Sequence, residues 1–194
     1  MSKFIRASLL GASALALSLS LGAIATPTFA EMKEKTVSVG GAEMFPSKNI
    51  IENAVNSKDH TTLVAAVKAA GLVDTLSGKG PFTVFAPVNA AFEKLPEGTV
   101  PTLLKPENKD KLSGILTYHV VAGKLSAADL EAKAKANNGK VELKTVAGGM
   151  ITVMSDNGAW VVVDAKGDKS KITIADVNQS NGVIHVVDTV LLPN

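Results

Sequence analysis

Thr83-Val84-Phe85-Ala86-Pro87-Val88-Asn89-Ala90-Ala91-Phe92 is the stretch from which the fold can be read. Its first half is β-branched and aromatic, the composition of a strand, and Pro87 ends the run because proline donates no ladder hydrogen bond. Asn89 then reads as the N-cap of a short helix carrying Ala91, Phe92 and Leu95 on its inner side. Phe82, Phe85 and Phe92 are expected in the core rather than along an open groove, because aromatic side chains dominate core burial. Upstream, Ile50, Ile51, Ala54 and Val55 recur at helical spacing, as do Leu63, Val64, Val67 and Ala70 before Gly71. Downstream, a helix is expected over about 108–117, burying Leu112, Ile115 and Leu116. Ser126 and Asp129 form a capping box, with Leu125 and Leu130 as its hydrophobic staple, and that helix runs out at Asn137-Asn138-Gly139. The pattern then changes period. Residues 141–146, 150–154, 160–163, 172–174 and 183–187 read as strands, punctuated by Gly148-Gly149, Asn157-Gly158, Lys166-Gly167-Asp168 and Asn181-Gly182. Helices first and an antiparallel-looking sheet second make an α+β arrangement.

The first 30 of the 194 residues have a different character. Lys3 and Arg6 give a positive start, the run 7–25 carries no charge, and Pro27 breaks it before Thr28-Phe29-Ala30. Charged, apolar and small-residue regions in that order are the pattern of a signal peptide, with cleavage expected after Ala30 and the chain secreted or periplasmic. An uncleaved anchor is the alternative, since the apolar run is nearly long enough to span a bilayer. Cleavage would take the basic residues from 20 to 18, against 18 acidic, and would remove Arg6, the single arginine. A chain without arginine lacks the forked donor that grips phosphate and guanine edges, so nucleic acid is not an expected partner. The absence of cysteine excludes disulfides, cysteine-ligated zinc and a thiol nucleophile. Residues 31–44, charged and containing Gly40-Gly41, read as a flexible N-terminal arm, and 45–194 as one packed domain. No second apolar run is long enough for a membrane span, so no stable insertion is expected once the leader is removed.

Three segments together resemble the fasciclin (FAS1) domain family. The stretch 83–92 is similar to its first signature block, Tyr118-His119 to its central Tyr-His pair, and Asn181-Gly182-Val183-Ile184-His185-Val186-Val187-Asp188-Thr189-Val190-Leu191-Leu192-Pro193 to its second block. Order and spacing agree over about residues 45–192. The chain most resembles the small secreted single-domain bacterial members, such as the mycobacterial secreted antigens. The resemblance implies a sandwich-like wedge of β-sheet flanked by several short helices, and adhesion or surface interaction rather than catalysis. In the animal relatives an Asp-Ile pair just before the second block belongs to a segment implicated in integrin binding. Asp176-Val177 occupies the matching positions, while Ile174, Ala175 and Asn178 depart from the pattern around it. The resemblance therefore carries over the place, Asp176 and Val177, and not the partner. Thr83, Phe85, Pro87, Asn89, Phe92, Tyr118, His119, Asn181, Gly182, His185 and Asp188 are taken as family-motif residues with structural roles.

The polar residues admit a structural and a chemical reading. Tyr118 and His119 stand where a helix enters a short β run, so both are expected partly buried and hydrogen-bonded; the alternative is a ligand-contacting or pH-sensing pair. His185 shares a strand face with Val183 and Val187 and reads as a satisfied core histidine. His60, beside Asp59 at a helix start, is expected on the surface. Three histidines so dispersed do not make a metal site by spacing, and no cofactor is expected. There is no Gly-x-Ser-x-Gly elbow, no His-Glu-x-x-His segment and no glycine-rich phosphate loop after a strand. Asn178-Gln179-Ser180 matches a glycosylation acceptor. These readings point to a non-catalytic module, a monomer by preference, whose partner is an extracellular or cell-surface protein or carbohydrate. The rivals are a carrier of a small apolar ligand and, behind it, a hydrolase.

Overall fold

Both faces of the strand Phe82–Pro87 are buried, which places it in the middle of a sheet rather than at an edge. The structure is a computed structural model and describes residues 35–156 and 158–193. In it β3 (Phe82–Pro87) pairs antiparallel with β4 (Val120–Ala122) and parallel with β9 (Gly182–Val187), Phe85 lying opposite His185. Beyond β9 follow β8 (Lys169–Gln179), β7 (Ala159–Val163), β6 (Met150–Asp156) and β5 (Lys140–Lys144), each antiparallel to its neighbour. Thr145 bridges to Val121, and the Val146 N–H donates to the Val120 carbonyl at 2.7 Å, so the two edge strands meet. That contact covers edges that would otherwise offer unpaired backbone.

The sheet is thus mixed, whereas the sequence suggested an antiparallel one. Antiparallel pairing is legible where a short turn joins two strands. β3 and β9 are instead brought side by side by everything that lies between them, and parallel partners require such a crossover.

Alternation along β3 and β9 divides the interior. Val84, Ala86, Ile184 and Val186 face a layer of helices, α1 (Ile50–Ala54), α2 (Thr61–Ala70), α3 (Val73–Ser77), α4 (Asn89–Glu93), α5 (Thr99–Leu103) and α6 (Lys109–Tyr118), meeting Leu63, Val67, Leu112 and Leu116. Phe85 and Val187 face the other way, onto a core with Tyr118, Val141, Ile151, Val153 and Val162 that α7 (Ala127–Ala136) closes with Leu130 and Ala134. Ser126 caps α7 as its sequence suggests: its hydroxyl accepts the Asp129 N–H at 3.2 Å, and the Asp129 carboxylate accepts the Ser126 N–H at 2.9 Å. The α+β class holds.

The arm expected at 31–44 is corrected by the structure over its described part. β1 (Val37–Val39) and β2 (Ala42–Met44) form a hairpin whose Val39 and Met44 enter the helix-side core. Gly40 and Gly41, at φ +59° and +77°, supply the two left-handed positions of the tight turn. The Lys58 N–H holds the turn through the Gly40 carbonyl at 3.2 Å, and Asn53 holds its base by exchanging hydrogen bonds with the Phe45 backbone. Three-residue strands are too short to show a period, so only the glycine pair announced them. The signal peptide, its cleavage point and residues 31–34 lie outside the described residues. Among the described residues no helix is long and apolar enough to cross a membrane.

Candidate functional site

The motif segments converge around two imidazoles. α6 ends at Tyr118, and His119, the last residue before β4, turns its ring into the interior. His119 Nδ1–H donates to the Ile115 carbonyl at 2.8 Å, and Nε2 accepts the Leu191 N–H at 2.9 Å. A ring nitrogen that accepts from an amide carries no proton, so His119 is the neutral Nδ1–H tautomer. Burial lowers its pKa from 6.5 to about 4, against the opposing pull of the Ile115 carbonyl and of Asp164. The Tyr118 hydroxyl donates to the Met150 carbonyl at 2.7 Å and accepts the Ala165 N–H at 3.0 Å; burial raises its pKa.

His185, on β9, stacks on Phe85 with ring centroids 5.6 Å apart. Its Nε2–H donates to the Leu125 carbonyl at 2.8 Å, and its Nδ1 faces the Asp176 N–H at 3.4 Å. Burial lowers its pKa, opposed by the Leu125 carbonyl and by Asp176, which keeps it neutral as well. Both imidazoles therefore use both nitrogens on backbone groups, and neither has a nitrogen left to move a substrate proton.

Asp176 and Val177, the pair marked by resemblance, do not form an exposed binding pair. Val177 is 1% exposed and belongs to the helix-side core. Asp176 sits in a bulged stretch of β8 at φ +58°, and its Oδ1 accepts the Ala127 N–H at 2.7 Å. Its carboxylate thus holds the first turn of α7, where negative charge also suits the helix dipole. Sequence could not show this, because the partner amide belongs to a distant helix.

The remaining motif residues tie segments together. Thr83 is buried; its hydroxyl donates to the Gly123 carbonyl at 2.7 Å and accepts the Leu125 N–H at 2.9 Å. Asn181 accepts the Ile50 N–H at 3.0 Å and donates to the Leu76 and Gly78 carbonyls at 2.7 and 2.9 Å, joining β9 to α1 and α3. Gly182 is required because a Cβ there would meet the Phe82 backbone, its carbonyl carbon 2.9 Å away. Pro87 and Phe92 are buried. Asp188 accepts the Lys171 N–H at 2.8 Å and lies 3.7 Å from Lys94 Nζ.

Two sequence readings are corrected here. Asn89 is the first residue of α4 and does not cap it; its Oδ1 accepts the Thr62 N–H at 3.0 Å, capping α2 instead, and its Nδ2 donates to the Lys58 carbonyl at 2.8 Å. His60 is buried, 3% exposed, despite its charged neighbours Lys58 and Asp59, because a 3₁₀ turn points the ring inward. Its Nδ1 lies 2.9 Å from Ser57 Oγ, its Nε2 makes no hydrogen bond of normal geometry among the described residues, and burial lowers its pKa against the weaker opposing pull of the Ala86 carbonyl and Asp59.

Ser57 and His60 make a serine–histidine contact, but Ser57 is 2% exposed and the Gly40 turn packs on it, so no substrate reaches the hydroxyl. His60 also lines an apolar cavity of about 40 Å³, with Leu63, Val67, Leu76, Val84 and Ile184 among its walls. That volume is small beside the roughly 150 Å³ of an apolar cavity that admits a benzene-sized ligand. Open space lies elsewhere, in a groove of about 520 Å³ beside α4 that includes Glu93 and Glu97, and in one of about 380 Å³ between Lys79 and Lys124. Among the described residues no three His, Cys, Asp or Glu side chains gather as metal ligands.

Comparison with known proteins identifies the family and the fold. The fasciclin domain family matches residues 58–193. A Synechocystis protein, sll1483, is 47% identical over 175 residues, covering 88% of this chain and 90% of its own length. The immunogenic protein MPB70 of Mycobacterium bovis is 37% identical, over 72% of this chain and 66% of its own length. The cell surface glycolipoprotein MPB83 of the same species is 36% identical, over 72% and 58%. Among solved structures, a FAS1 domain pair from the insect cell adhesion molecule Fasciclin I superposes with a TM-score of 0.68 at 22% identity, covering 76% of this chain and 52% of that one.

Proposed function

The chain belongs to the fasciclin domain family, and from that premise we propose that it is a non-catalytic interaction module, secreted or periplasmic, that binds an extracellular or cell-surface protein or carbohydrate. The observation that carries the reading is the state of the motif imidazoles. His119 and His185 are neutral and have both nitrogens committed to backbone groups, so they hold the fold instead of moving protons. The names of relatives support the surface role: MPB83 is a cell surface glycolipoprotein and Fasciclin I a cell adhesion molecule. The leader pattern of residues 1–30 supports export.

The test is capture of envelope components by the mature protein, beside a screen for esterase and glycosidase activity. Specific capture with no turnover is the expected result. Turnover lost on substituting a single Ser, Asp or Glu would overturn the reading.

A further inference from the structure

The groove between Lys79 and Lys124 is built where three segments meet. The loop before β3 supplies Lys79, Gly80 and Pro81, the turn after β4 supplies Lys124, and the β8–β9 turn supplies Gln179, Ser180, Asn181 and Gly182. No acidic side chain is among these lining residues. The ion pairs of the described residues use Lys94, Lys105, Lys135 and Lys169, so Lys79 and Lys124 are exposed ammonium groups without an acidic partner. Ser180 is exposed too, and its hydroxyl has no hydrogen bond among the described residues. Three side chains thus bring unspent donors to one concavity of about 380 Å³.

The floor beneath them is rigid. Asn181 spends its amide on Ile50, Leu76 and Gly78, and Gln179 is buried and bonded to Asn53. The Phe82 N–H binds the Asn181 carbonyl at 3.0 Å, the Gly123 N–H the Pro81 carbonyl at 2.9 Å and the Ser180 N–H the Lys48 carbonyl at 2.9 Å. A backbone floor already held in this way loses little freedom on binding.

We propose that this groove binds an acidic polysaccharide, a carboxylated chain such as a polyuronate, with Lys79 and Lys124 facing its negative charges and Ser180 a hydroxyl. The proposal rests on the interaction-module reading and names a partner class for it. The chemistry favours a saccharide over an acidic protein segment on two counts. The N–H groups of Gly80, Phe82, Gly123 and Ser180 are taken, so a peptide finds no strand edge to extend there. The one apolar lining side chain is Pro81, which gives a sugar face a surface to lie on but gives a peptide no pocket for an anchoring side chain.

The experiment measures binding of the mature full-length chain to polygalacturonate, with dextran as neutral control and polyglutamate as an acidic peptide of similar charge. Expected are binding to polygalacturonate that weakens steeply between about 50 and about 500 mM salt, no binding to dextran, and weaker binding to polyglutamate. The K79Q/K124Q double variant should bind at least about tenfold more weakly with an unchanged melting temperature, since both side chains are exposed and unpaired. E93Q/E97Q, in the groove beside α4, should bind like the wild type. Undiminished binding by K79Q/K124Q, no binding to polygalacturonate at low salt, or equal binding to polyglutamate would each overturn the proposal. Release of reducing ends from bound polygalacturonate would instead overturn the non-catalytic reading and leave the groove assignment standing.

Discussion

His119 Nε2 accepts the backbone N–H of Leu191, 72 positions further along the chain, at 2.9 Å. The next amide, that of Leu192, donates to Asp164 Oδ2 at 3.0 Å. Two consecutive amides of the C-terminal segment are therefore gripped by an imidazole at the end of α6 and a carboxylate in the β7–β8 loop. The Tyr-His pair is joined to the second signature block through this grip, a physical reason for the two to occur together.

Stability should consequently depend on pH in a defined direction. His119 has a folded pKa of about 4 against 6.5 unfolded, so between those values the unfolded chain binds the proton and the folded chain does not. Its contribution is complete above 6.5 and is lost as pH falls toward 4, on the order of 3 kcal/mol in all. His60 and His185, also lowered, act in the same direction. Urea midpoints from pH 7.5 to 4.5 should fall in the wild type, and H119N should fall less over the same range. Parallel curves for the two proteins would remove His119 from this account.

Asp176→Ala should lower stability by about 1 kcal/mol, the usual order of loss when a first-turn amide of a helix loses its side-chain acceptor, while the Ser126 cap stays in place. Resemblance alone would have the same change weaken binding with no effect on melting. A thermal melt separates the two, and an unchanged midpoint would show that the Ala127 amide finds another partner. Asp176→Asn, which keeps an acceptor and tolerates the left-handed backbone, should cost less.

Met44→Ala probes the hairpin. A methionine on a loose arm can be truncated without consequence, whereas one buried in the helix-side core should cost about 2–5 kcal/mol. Chemical denaturation of the mature chain decides between them.

Phe92→Ala should cost about 3–5 kcal/mol and act on folding before binding. Asn181→Ala should be comparably severe, on the order of 3 kcal/mol, because it strands the Ile50 N–H and two carbonyls at once. Near-native stability in either variant would contradict the packing described.

α1, α2, α6 and α7, the Ser126–Asp129 cap, the opposite facing of His185 and Ile184 along β9 and the burial of Phe85 and Phe92 were legible in the chain, because each follows from neighbours within one or two turns. Local chemistry of that kind needs no knowledge of what packs opposite. Asn89 shows where it stops. Its type and place suggested a cap, and a cap it is, but for α2, 27 residues away. His60 likewise looked polar by its neighbours and is buried by a turn.

Composition and period alone thus specified an α+β domain, the capped start of α7, the apolar faces of its main helices and the absence of thiol chemistry. The parallel pairing of β3 with β9, the docking of the Val37–Met44 hairpin, the inward commitment of Asp176 and Val177, and the lysine groove came only with tertiary structure. Each of these depends on which remote backbone groups a side chain meets. A hydrogen bond or a groove has no trace in sequence until long-range packing brings its parts within a few ångströms.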